Sequence, residues 1–314
     1  MKELLWILAL LTAFLGAPCF AQEAIVKVTN PREVALEMRG SSVIPKELEG
    51  LQWNRWTSKN FTVCSLNDTQ AQYLHKHLEL VKAWVFARWG LFDIDFSTEC
   101  KLICVDRPDL FKKLFNLDNT RVEIRRDTTT GKIKETVIFI LLNDVPFKCV
   151  PVPLTEVCMA EFSQKHNTKF ALWAEKGMGQ LNGSLDQIKA RVMEVKPLLE
   201  KNDPLFFSKG LMEMDREAYN KLAPDKQRLY DNCAMMFCLM VRKEFGQDCY
   251  LRLMKGASEG SPEPAMKTVL RFDDFNHFDK TFKRYMTDLC RDIASGKTPD
   301  QYLQIREVIR DKKD

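Results

Sequence analysis

Between Cys158 and Asn182 the chain reads CMAEFSQKHNTKFALWAEKGMGQLN, and this stretch holds the residues whose types and spacing come nearest to chemistry. Positions 160 and 164 lie four apart and share one face of a helix. Two histidines there would grip a metal ion, and a carboxylate on the next helix would add a third ligand. Glu161 would then be the general base acting on a metal-bound water. The residues present do not supply that set. Ala160 has no donor atom, Gln164 offers only a neutral amide, and Lys176 in Trp173-Ala174-Glu175-Lys176-Gly177 carries an ammonium that repels a cation. Glu175 stands one residue before that third position and would offer a carboxylate in a shifted register, still with no histidine beside it. His166 follows Glu161 by five residues, about 140° round a helix on average geometry, and does not replace the missing ligand.

Other chemistries find less support. The chain has 4 histidines, so a Cys–His or Ser–His pair must use His75, His77, His166 or His277. Cys158 with His166 is conceivable, but nothing in their spacing favours it. His75 and His77 point about 200° apart if helical, which prevents joint chelation. No Gly-x-Ser-x-Gly, P-loop or Gly-x-Gly-x-x-Gly is present.

The elements that must position these residues follow from periodicity. Asn60–Ser65 alternates like a strand, and Asp68 is a candidate N-cap for a helix carrying Ala71, Leu74, Leu78, Val81 and Val85, which Gly90 stops. KLICVD (101–106) is a short buried strand, and Pro108 opens the helix PDLFKKLFNL. Two strands flank the turn signal Thr129-Thr130-Gly131, the second holding the apolar run Val137–Leu142. The loop VPFKCVPVP then leads to the helix of Glu161, with Thr155 as its candidate N-cap. Beyond Asn182 the spacing is helical over 185–200, 204–223 and 226–245, punctuated by Pro197, Pro204 and Pro224.

This order, with AEFSQ standing where His-Glu-x-x-His is expected and WAEKG where Trp-x-x-Glu-Gly is expected, resembles the gluzincin metallopeptidases of the peptidase MA-like group. Ser58-x-x-Phe61-x-Val63 is similar to the opening of that family, and Tyr230–Gly246 to its apolar Tyr-x-x-Ser/Cys helix ending in Phe-Gly. LRLMKG (251–256), Glu263–Met266 and Phe278–Tyr285 are similar to its helical tail, so the likeness spans roughly residues 53 to 290. The resemblance implies an α+β fold: a small mixed α/β lobe and a helical C-terminal lobe with a cleft between them, rimmed by the strand at about 137–142. It implies a remnant general base at Glu161, an oxyanion position at Tyr230, and degenerate metal positions at Ala160, Gln164 and Lys176 with zinc lost. Without a metal-bound water, Tyr230 is better read as a buried ring with a bonded hydroxyl. Glu161 and Lys176 are expected to form an ion pair where the metal stood. The Met-rich stripe of 230–245, with Cys233 and Cys238, is expected to be core packing.

The chain has 314 residues, 45% apolar and 29% charged, with a net charge of +4 dispersed over both signs, which does not signal nucleic-acid binding. Met1-Lys2-Glu3, the apolar run Leu4–Gly16 and the small residues at 19 and 21 read as a signal peptide cleaved after Ala21. A lipid anchor on Cys19 fits poorly with Pro18, and an uncleaved anchor is the alternative. No later segment is apolar enough to span a membrane. Ten cysteines, nine after cleavage, lead us to expect some pairing in an oxidising compartment and at least one thiol left over; Cys100 and Cys104 bracket a strand and Cys149 and Cys158 flank a loop, but the spacing does not assign pairs. The expected organisation is a signal peptide (1–21), a lead-in pinned by Trp53 and Trp56 (22–57), the α/β lobe (58–183), the helical lobe (184–295) and a charged tail (296–314). The expected function is that of a secreted or periplasmic cell-envelope pseudo-peptidase, taking an extended polypeptide in the old cleft as an added strand. Two rivals stand beside it: an active metallopeptidase with atypical ligands, and a structural envelope protein whose cleft is filled.

Overall fold

The alternation of apolar residues along three central strands decides the architecture. In the computed structural model, which describes residues 26–28, 41, 43–49, 51–115, 120–142, 150–201, 208–256 and 262–297, six strands form one sheet. They are β1 (Val26–Val28), β2 (Asn54–Thr57), β3 (Phe61–Ser65), β4 (Cys100–Val105), β5 (Thr120–Arg126) and β6 (Ile133–Leu141). The spatial order is β1-β2-β3-β4-β6-β5; β3, β4 and β6 are parallel, and the flanking pairs are antiparallel. Phe61, Val63, Leu102, Cys104, Ile138 and Ile140 enter one apolar cluster, whereas Cys64, Ile103, Val105, Val137, Phe139 and Leu141 enter a second on the other face. Burial on both faces is why Val137–Leu142 reads as an unbroken apolar run.

The helices before the motif are α1 (Lys46–Glu49), α2 (Asp68–Arg88) and α3 (Pro108–Phe115). Ala71, Leu74, Leu78 and Val85 are buried along α2 as their spacing predicts, and Gly90 takes φ +65° just past its end. Its N-cap is Asn67, which accepts from the Gln70 amide; Asp68 instead accepts from the Trp56 indole at 2.9 Å. The lead-in contributes β1, β2 and α1, and both tryptophans are buried, with Trp53 Nε1 donating to the Leu48 carbonyl at 3.0 Å.

The motif helix is α4 (Pro151–His166), followed by α5 (Leu172–Leu181). It begins earlier than Thr155 suggests, because Pro151 suits the first turn, where no amide is needed. Thr155 sits inside the helix, donates to the Pro151 carbonyl at 2.6 Å and accepts from Asn182 Nδ2 at 2.6 Å. The rest is helical: α6 (Leu185–Lys201), α7 (Ser208–Met212), α8 (Arg216–Asn220), α9 (Pro224–Phe245), α10 (Gln247–Gly256), α11 (Pro262–Ala265), a π turn at Met266–Leu270, and α12 (Phe275–Ala294). Pro197 lies within α6 rather than ending it, and Asp215 caps a separate α8, so 204–223 is not one helix.

The chain is therefore an α+β protein, with the sheet in its N-terminal part and helices in its C-terminal part. The buried α9 is its centre: Cys233–Val241 are all buried, and Trp173 of α5 meets Phe237 at 4.9 Å and Tyr250 at 6.0 Å between ring centres. Among the described residues, Cys100, Cys104, Cys158, Cys238, Cys249 and Cys290 are free thiols. Cys100 and Cys104 stand four residues apart on one strand, about 13 Å by strand rise, beyond disulfide reach. Among the described residues, no helix is long and apolar enough to cross a membrane. The leader at 1–21, Cys149 and the tail from 298 lie outside the described residues.

Candidate functional site

The motif face of α4 is a row one turn apart at Glu156, Ala160 and Gln164, with α5 packed beside it. Ala160 is 9% exposed and brings no polar atom to that row. Gln164 is committed at both ends of its amide: Oε1 accepts from the Ile133 amide at the start of β6, and Nε2 donates to Ser97 Oγ at 2.8 Å. Glu161 is 1% exposed and turns to the same neighbour, its Oε2 accepting from the Ser97 amide at 2.7 Å. The residues at the base position and the second ligand position thus fasten the loop between α2 and β4 from two sides. Sequence spacing gave no sign of Ser97, because the loop that carries it is more than sixty residues away in the chain.

Lys176 belongs to a different group. Its ammonium pairs with Glu156 at 3.9 Å and lies 5.1 Å from the centre of the Tyr219 ring. The ion pair expected between Glu161 and Lys176 is not formed. Glu161 turns inward to a backbone amide, while Lys176 reaches α4 one turn before Ala160. Tyr219 donates to Asp231 Oδ1 at 2.9 Å, and Gln180 Nε2 is 3.5 Å from Oδ2. Burial pushes the Asp231 carboxyl up to about 6, against the pull of Lys176 and the Tyr219 hydrogen bond. Glu175 pairs with Arg216, yet burial still holds its carboxyl above the ordinary value. Glu156, Tyr219 and Asp231 were not singled out from the sequence. The available signal was local: Glu156 is one turn before Ala160, and Asp231 follows Tyr230.

The remaining candidates are not brought together. Tyr230 is fully buried and donates to the Leu211 carbonyl at 2.9 Å. Cys158 is fully buried, its thiol raised well above the usual range by burial first, whereas His166 is exposed at the helix end against Phe162. His75 is buried against Trp56, and His77 stacks on Tyr73 further round α2. The strand at 137–142 is not a rim: β6 is hydrogen-bonded to β4 on one side and β5 on the other. The edge strand beside α4 is β5, which presents Arg121, Glu123, Arg125 and Arg126.

Zinc does not fit this donor set. Ala160 has no ligand atom, the Gln164 amide is used by Ser97 and Ile133, and Lys176 brings a positive charge. Among the described residues, no three His, Cys, Asp or Glu side chains are grouped to hold a metal ion. Compared with protein-family models and with curated proteins, the chain matches none.

Proposed function

We propose that this chain is a catalytically inactive gluzincin-like pseudo-peptidase, secreted or periplasmic, that binds an extended polypeptide along β5. One observation carries the reading. Two of the positions that would hold and use a metal, Glu161 and Gln164, are engaged in fastening the loop at Ser97, while the strand at the sheet edge beside the motif helix has no further strand partner among the described residues. Main-chain groups of an edge strand pair with any extended chain, and side chains at alternate positions supply selectivity. Arg121, Glu123 and Arg125 alternate along β5 and would read a partner of mixed charge.

The test uses the purified full chain. Metal analysis and a broad peptide pool are expected to show no stoichiometric zinc and no cleavage; zinc with chelator-sensitive cleavage would end the proposal in favour of an active enzyme. A peptide that binds is expected to slow hydrogen exchange at β5 amides, and binding that leaves β5 unprotected removes the strand-addition reading. The reading as a structural envelope protein has its own support in the double tie to Ser97, and complete failure to bind peptides would favour it.

A further inference from the structure

Two arginines, one buried and one half-buried, lie close together at the junction of α2, α5 and α9. Arg242 is 8% exposed, and half-buried Arg88 is near enough to be affected by its charge. Among the described residues, neither forms an ion pair with a carboxylate, and what they do contact is backbone and aromatic. Arg242 donates to the Arg88 carbonyl at 3.0 Å and lies 4.5 Å over the Trp89 ring. Arg88 donates to the Leu181 carbonyl at 3.3 Å and lies 5.0 Å over the Trp84 ring. These carbonyls belong to the ends of α2 and α5, so the plain account is that each arginine caps a helix terminus.

That account leaves charge and hydrogen bonds unmatched. A helix C-terminus carries roughly half a negative charge, so two termini offset about one of two guanidinium charges. Each guanidinium has five donors, and the Nε of both arginines is buried without an acceptor, as is the Trp89 indole Nε1. The neighbouring ionisable groups do not supply the missing negative charge. Burial pushes Cys238 up to about 12 and Tyr250 well above its ordinary value, so both stay neutral. Burial, then Arg242, lowers Arg88 only to about 10, so it remains charged at neutral pH. Arg88, beside Trp84, is half-buried, whereas Arg242 and Trp89 are buried.

We propose that Arg88, Arg242 and the Trp89 indole form a binding site for one compact oxyanion, a carboxylate or a phosphate. The planar guanidinium fork suits both, and one added negative charge balances the pair. Inorganic phosphate and acetate distinguish the two sources. The full chain is titrated with each at constant ionic strength, with chloride as the control, following the melting temperature and binding heat. The expected result is a saturable rise in Tm with one or both oxyanions and none with chloride. Arg88→Met and Arg242→Met are each expected to weaken binding by about tenfold or more, the worth of a charged hydrogen bond. If Arg242→Met does not fold, Arg88→Met decides alone, since its side chain is only half-buried. Equal Tm in all three salts, or oxyanion binding unchanged in the folded variants, overturns the proposal and leaves two helix caps.

Discussion

The Glu161 carboxylate uses one oxygen to hold the Ser97 amide and keeps the other buried without a partner. Its worth is therefore that of an acceptor. Glu161→Ala removes a charged acceptor from a partly buried hydrogen bond and is expected to cost about 1–3 kcal/mol, while Glu161→Gln keeps the acceptor and should stay within about 1 kcal/mol of the parent in urea unfolding. Lys176→Ala removes a partly exposed pair with Glu156 and should change stability by no more than about 1 kcal/mol. A larger effect at Lys176 than at Glu161→Ala would contradict these placements. Titration adds a second residue-scale expectation. Asp231 holds its proton to about pH 6 when folded, against about 3.9 for a free aspartate, so the folded state binds more protons between those values. Its contribution thus falls as pH rises from about 4 to 6. Asp231→Asn, which keeps an acceptor for Tyr219, should remove that slope from a pH series of chemical melts. His75 acts in the opposite direction: burial lowers its folded pKa, so its contribution is lost as pH falls below about 6.5.

At the scale of elements, α5 and α9 approach so closely at Gly177 that a methyl group there would strike the Ala234 carbonyl and Cys238 Sγ. Gly177→Ala is expected to force the helices apart at a cost of about 1–3 kcal/mol, read as a lower urea midpoint with unchanged slope. An unaffected midpoint would mean that the helices shift freely. The glycine of WAEKG thus has a packing reason that spacing alone could not reveal. The elements themselves were legible wherever periodicity governed, as in α2, in the 127–132 hairpin turn and in the buried α9. Their starts were less so. Asn67 caps α2 in place of Asp68, because neighbouring polar residues compete for one role and local sequence does not rank them; Pro151 rather than Thr155 opens α4, because the first turn needs no amide. The rim strand was misplaced for a topological reason: β5 and β6 form a hairpin, and only the crossover to β4 decides which of them lies inside. At the site, the residue types at 160, 164 and 176 were legible, whereas the tie to Ser97 and the group around Asp231 depend on contacts distant in sequence.

Across the whole molecule, one apolar cluster runs from Trp56 in β2 to Cys290 in α12, joining the sheet to the helical part without a break. A fragment ending at residue 183 would keep the sheet, α4 and α5 but lose α9 and α10, and with them Phe237 and Tyr250 from around the fully buried Trp173. Exposing an indole of about 200 Å² costs about 5 kcal/mol. That alone approaches the stability of an ordinary domain, about 5–15 kcal/mol. The uncovered faces of α4 and α5 add to the loss. The fragment is therefore expected to lack a cooperative melt and a dispersed amide spectrum, while the full chain unfolds in one transition with near-UV and far-UV signals coincident. A fragment that melts cooperatively would show instead that the sheet carries a core of its own, and that the helices beyond 183 are added to it rather than required by it.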